Sequence, residues 1–301
     1  MKTAGADVRV LHNAPDTVGE SPLWDADGGL LWWVDIIGRQ VRRLHWSSGA
    51  VESVAVALPP AALFLDAGGL VVAAGNGWHR LDRGTLRTVA LAPVAAGGWR
   101  MNDGCTDTAG RIWTGSVPEP RDSNAGGDLF RLGPDGAVRI LGGLGVQNGT
   151  AVSPCGRRFY LADTAPDIRT IWRFDLDADT GALSNRQVFH VCRDGRPDGG
   201  TTDAEGCYWF AEIDAGRIVR LDPDGRTVDH WPLPVSRPSK IAFCGPDLRT
   251  LAVTTIRAGL DAQALAAEPL AGALLAFEAP VSGWDLPAAR LEEGAPTATR
   301  S

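Results

Sequence analysis

Residues 100–116 read RMNDGCTDTAGRIWTGS: a polar cluster, a D-T-A-G turn, then a short apolar run. The turn and run recur as DADGGLLWWVD from Asp25, DAGGLVVAAG from Asp66, DTAGRIWTGS from Asp107, SPCGRRFYLAD from Ser153, DAEGCYWFAE from Asp203 and DLRTLAVTT from Asp247. The copies begin 41 to 50 residues apart, a period that suits propeller blades. Glycine-bounded runs rich in valine, threonine and aromatic residues read as strands. A second phrase follows each copy, as in GDLFRLGPDG (127–136) and GRIVRLDPDG (216–225), where alternating apolar and polar residues end in a hairpin turn. Two phrases and two less regular strands per repeat make a four-stranded antiparallel blade. The pattern predicts an all-β, six-bladed β-propeller, a single domain over residues 1–301 with a loose tail from about residue 292. Residues 8–12 (VRVLH) have no partner in the first blade and are expected to close the ring beside 272–279 in the last.

Five residues before each copy stand Glu20, Ala61, Asn102, Asn148, Asp198 and Ala242. Four of these six carry oxygen-bearing polar side chains, and an arrangement around an axis brings them together at one mouth of the central channel. Asn and Asp before glycine are also ordinary turn chemistry (Asn102-Asp103-Gly104, Asn148-Gly149, Asp198-Gly199). Turn chemistry alone does not explain one shared register in four repeats with alanine in the other two. Two carboxylates and two amides, without imidazole or thiolate, suit a hard cation such as Ca²⁺, Mg²⁺ or Mn²⁺.

The stretches GESPLWD (19–25), RMNDGCTDTAGRIWTGS (100–116), QNGTAVSPCGRRFYLADT (147–164) and RPDGGTTDAEGCYWFA (196–211) resemble the SMP-30/gluconolactonase (regucalcin-like) family over nearly the whole chain. The GRIVRLDPDG turn and the PSKIAF segment (238–243) extend the match. The resemblance implies a six-bladed propeller, one catalytic divalent metal and hydrolysis of aldonolactones. It places metal ligands at Glu20, Asn148 and Asp198, and substrate contacts at Arg100, Asn102 and Asp103. Glu119, one position off the family's lid-loop glutamate in an ungapped match, is the fourth candidate substrate contact. The implied ion is Ca²⁺ first, with Mn²⁺, Zn²⁺, Mg²⁺ or Fe²⁺ as alternatives.

On this reading the metal polarises a lactone carbonyl and activates a water. Asp198 is the candidate catalytic base, and Arg100 with Asn102 orients the carbonyl and stabilises the developing oxyanion. Asp103 binds a hydroxyl or holds Arg100; the structural alternative is a plain Arg100–Asp103 ion pair. Glu212 either faces the channel or, preferably, is solvated at a strand end. Trp24, Trp33, Trp113 and Trp209 recur in the repeat phrases and read as blade packing. Two other functions share the site: a metal-dependent esterase or phosphotriesterase-like hydrolase, and a calcium-binding regulatory protein without significant catalysis.

The remaining composition narrows the class. A net charge of −7 without a basic stripe argues against nucleic acid as a partner. No apolar stretch has signal-peptide or membrane-span length, which points to a cytoplasmic protein with no membrane partner, a monomer or a homodimer. Five scattered cysteines, with no CxxC pair, read as reduced structural thiols. No GxSxG elbow offers a serine nucleophile, and no glycine-rich phosphate loop opens a helix.

Overall fold

The structure, a computed structural model, describes residues 7–94, 98–119 and 126–291. The expected loose tail lies outside the described residues. Within them, twenty-four strands form six antiparallel sheets of four. The first strands of the blades are β2 (Gly19–Asp25), β6 (Pro60–Asp66), β10 (Trp99–Thr106), β14 (Gln147–Val152), β18 (Arg196–Thr202) and β22 (Pro238–Cys244). Each touches the first strand of its neighbours, so the six form a ring around a channel. The ring closes as expected: β1 (Arg9–His12) pairs antiparallel with β24 (Leu274–Glu278), completing the sixth blade.

The recurring turn has a local cause. In blade three the Asp107 carboxylate accepts the backbone N–H of Ala109 (2.9 Å) and of Arg111 (3.0 Å), while Gly110 takes φ 83°. Only glycine adopts that backbone conformation without steric cost. Asp203 with Gly206 repeats the arrangement in blade five. The second strands that follow are almost wholly buried. Trp33, Trp113 and Trp209 are fully buried as blade packing, whereas Trp24 is half-buried and packs edge-on against Trp46. Loss of any one buried Trp costs about 3–5 kcal/mol.

Blade six departs from the pattern. Leu248 at φ 53° stands where the other turns place glycine, and its N–H bonds Gly245 O (3.1 Å) just as Gly206 N–H bonds Asp203 O (3.0 Å). The turn therefore begins at Gly245 and not at Asp247. The residue five positions before it is Lys240, and Ala242 is no longer the equivalent of Glu20 and Asp198. Between the second strand of this blade and the third, Leu274–Glu278, lies a short helix, α1 (Ala262–Ala267), capped by the Asp261 side chain on Ala264 N–H (2.8 Å). No helix among the described residues is long and apolar enough to cross a membrane.

Candidate functional site

Every first strand carries a β-bulge near its start. The pairing slips between Glu20 and Leu23, Met101 and Gly104, Asn148 and Ala151, and Pro197 and Gly200. A bulge re-aims the residues in and beside it, and the polar side chains there meet across blades: Asn102 bonds Asn148, and Glu20 lies within reach of the Asp198 charge. Ser21, in the first bulge, sits at φ 52°, and Gly149 holds the corresponding place in blade four at φ 56°. A non-glycine residue in that region stores strain, of order 1–3 kcal/mol. Ser21 is kept there by use: its hydroxyl accepts Leu63 N–H (2.8 Å), and its own N–H bonds Glu20 Oε2 (3.0 Å).

The structure brings the predicted residues together. Glu20, Arg100, Asn102, Asp103, Asn148 and Asp198 are all buried. Asn102 Nδ2 donates to Asn148 Oδ1 (2.8 Å) and to Gln147 O (2.7 Å) across the blade boundary. Asn148 Nδ2 donates to the Thr164 hydroxyl (2.8 Å), which donates to Pro197 O (2.6 Å) beside Asp198. A chain of hydrogen bonds thus runs from blade three through blade four to blade five. Arg100 Nη1 gives 2.8 Å bonds to Asn102 Oδ1 and Met101 O, and Nε bonds Glu119 Oε1 (3.1 Å). Glu119 is more than half exposed, so the Arg100–Glu119 pair lies at the rim.

Three expectations need correction. Arg100 and Asp103 do not pair: Arg100 takes Glu119, and Asp103 takes Lys240. Glu212 is neither in the channel nor solvated. It is buried, accepts from Arg217 Nε (2.6 Å) and Gly195 N–H (3.2 Å), and lines a separate cleft with His190 and His230. The third is Ala242, whose place belongs to Lys240. Lys240 was hidden by the missing glycine of its turn, and the signal that finds it is the left-handed Leu248.

Charge is concentrated here. Burial lifts the Glu20 carboxyl well above the usual range, and the carboxylates of Asp198 and Asp103 push it the same way. Lys240 and the Ser21 N–H pull it back. For Lys240, burial opposes the charge, yet the adjoining Asp103 and the nearby Glu20 hold its pKa above the ordinary lysine value. Carboxylates that crowd each other in a dry pocket are stabilised by a cation. Among the described residues, no three His, Cys, Asp and Glu side chains gather into a metal cluster by themselves. The donors that converge are two carboxylates, of Glu20 and Asp198, with the Asn148 amide. That set fits a hard divalent ion with water in its open positions, and offers nothing to a thiophilic one.

The sequence model of the SMP-30/Gluconolactonase/LRE-like region matches residues 18–257. The chain belongs to the SMP-30/gluconolactonase family. It is 37% identical to a 6-deoxy-6-sulfogluconolactonase of Pseudomonas putida over 92% of this chain and 96% of that one. A pentonolactonase of Haloferax volcanii is 34% identical over 88% and 92%. Among solved structures, a calcium-binding regucalcin from Agrobacterium tumefaciens superposes with a TM-score of 0.90 at 29% identity, covering 95% of this chain and 98% of that one.

Proposed function

We propose that the protein is a divalent-metal-dependent hydrolase that opens sugar lactones to aldonic acids. The observation that carries the reading is the register: Glu20, Asn102, Asn148 and Asp198 occupy the bulged start of four first strands and converge on one pocket. Relatives named for sugar-lactone chemistry cover most of the chain at 34–37% identity.

Glu20, Asn148 and Asp198 hold the cation, with Ca²⁺ as the first choice. When bound, it supplies Lewis-acid polarisation of the lactone carbonyl and of the attacking water. Asp198 accepts the proton that the water loses as its oxygen bonds the carbonyl carbon. The ring C–O bond then breaks, and the ring oxygen takes the proton back from Asp198 and leaves as the hydroxyl of the aldonic acid. Arg100 sits beside this centre with its guanidinium fixed on three oxygens, so it meets a developing negative charge without reorganising. Asn102 links Arg100 to Asn148, with both amide hydrogens given to Gln147 O and Asn148 Oδ1, and so orients the groups that meet the substrate. Glu119, exposed at the rim, accepts from a sugar hydroxyl.

This polar set favours a polyol over an aryl ester or a phosphotriester. The five unpaired thiols fit the cytoplasm, where they stay reduced. Hydrolysis of glucono-, galactono-, xylono- and arabinonolactone, beside an aryl acetate and a phosphotriester, tests the substrate class. The sugar lactones are expected to be opened well above their spontaneous rate. Turnover of the aryl ester or the phosphotriester alone would reassign the chemistry, and calcium binding without turnover of any of them would leave a calcium-binding protein.

A further inference from the structure

Lys240 is a buried lysine that nothing in the lactone chemistry above uses. It occupies, in blade six, the register that Glu20, Asn102, Asn148 and Asp198 occupy in theirs, as the turn from Gly245 to Leu248 shows. Its side chain crosses the channel from blade six to blade three. There Nζ forms an ion pair with Asp103 Oδ1 and donates to Gly104 O (2.9 Å). The stem passes directly over Gly199, the neighbour of Asp198: a Cβ on Gly199 would collide with Cα, Cβ and Cγ of Lys240. The other oxygen of Asp103 accepts from Thr150 N–H (2.9 Å) and the Thr150 hydroxyl (3.2 Å). Both oxygens of Asp103 are thereby engaged, on the floor of a pocket that already holds the carboxylates of Glu20 and Asp198.

We propose that Lys240 is a positioning residue that withdraws Asp103 from the metal-binding set. A divalent ion then meets two carboxylates instead of three and keeps open positions for water and lactone. The proposal rests on the lactonase reading for its role in turnover, but not for its effect on the ion. Ligand charge count, together with rigidity, tunes the affinity of an oxygen-donor site. A third carboxylate tightens the ion and closes its open positions.

Calorimetric titration of Ca²⁺ into the metal-stripped full chain tests this without substrate. Lys240→Met is expected to bind Ca²⁺ at least about tenfold more tightly than the parent, while turnover falls by at least a similar factor. Adding Asp103→Asn to Lys240→Met returns the affinity to the parent's range, and Lys240→Arg keeps it there. A Lys240→Met protein with parental or weaker Ca²⁺ affinity overturns the proposal, as does a double variant that binds as tightly as Lys240→Met alone. Should Lys240→Met fail to fold with Asp103 unpaired, Asp103→Asn alone decides. It leaves the lysine charge uncompensated beside the site, so about tenfold weaker binding is expected, and parental binding refutes the idea. If the parent opens no lactone, the functional reading falls while the affinities still decide the role of Lys240.

Discussion

Asp198 and Asp203 lie five residues apart in the same strand and turn of blade five, both buried, yet they live in opposite environments. Asp203 is saturated: its carboxylate accepts the N–H groups of Glu205 and Cys207, Trp209 Nε1 (2.7 Å) and Arg220 Nε (2.8 Å). Blade three builds the same knot at Asp107 with Ala109, Arg111 and Trp113. At the other end of the strand, Asp198 lies close enough to Glu20 that its charge, like that of Asp103, adds to the burial that lifts the Glu20 carboxyl. A carboxylate with donors on every side holds a blade together. A carboxylate facing other carboxylates is poised for a cation.

The largest effects should separate the two ends. Asp198→Asn is expected to lower kcat by about a thousandfold or more while the protein stays folded, since a metal ligand and general base are lost together. Its thermal stability should hold or rise once like charges are relieved. Asp203→Asn should do the reverse: it breaks a buried Arg220 pair at a cost of about 3–5 kcal/mol, while turnover per folded molecule changes little. Comparable loss of turnover at both positions, measured on folded protein, would erase the distinction.

Calcium sharpens the same contrast. At about a hundred times its dissociation constant it should stabilise the parent by about 2.7 kcal/mol, and Asp198→Asn by far less. An equal thermal shift in both would place the ion elsewhere. Arg100→Met should lower kcat/KM by about 10²–10³ with calcium affinity kept. Loss of both together would make Arg100 a structural residue.

The smallest effect concerns Asp16, near the start of blade one, which bonds Trp33 Nε1 (2.9 Å) and Arg42 (2.9 Å). Burial pushes its carboxyl up to about 6, although both partners pull it down. A raised carboxyl binds its proton more tightly in the folded state. Its contribution is therefore complete below the unfolded value near 3.8 and is lost as pH rises through about 6. Asp16→Asn should flatten stability between those pH values, by about 1–3 kcal/mol. An unchanged slope in urea titrations would remove Asp16 as its source.

The fold could be read because five of the six blades repeat one local solution: an acid or serine that binds the turn's N–H groups, a left-handed residue, then a buried strand. The site could be read from the same anchor, since counting back five from a true turn start lands in or beside the bulge. It failed where the anchor was disguised. Blade six replaces the acid with Gly245 and the glycine with Leu248, so a count from Asp247 reached Ala242 and passed over Lys240. Pairings across the channel had no local signature. Asp103 lies three residues from Arg100 but binds a lysine 137 residues away, and nothing in the sequence near Glu212 announces Arg217 as its partner. The helix Ala262–Ala267 sits within an insertion that a repeat period cannot describe.

The central claim is that the four-blade register holds a cation that lactone opening requires. Its most direct test is the rate at which metal-stripped protein opens a sugar lactone as Ca²⁺ or Mn²⁺ is added back, with spontaneous opening subtracted and Asp198→Ala run alongside. The account predicts turnover that is absent without metal, restored in proportion to bound ion, and lost in Asp198→Ala at every metal concentration. Turnover that survives metal removal, or persists in Asp198→Ala, would contradict it.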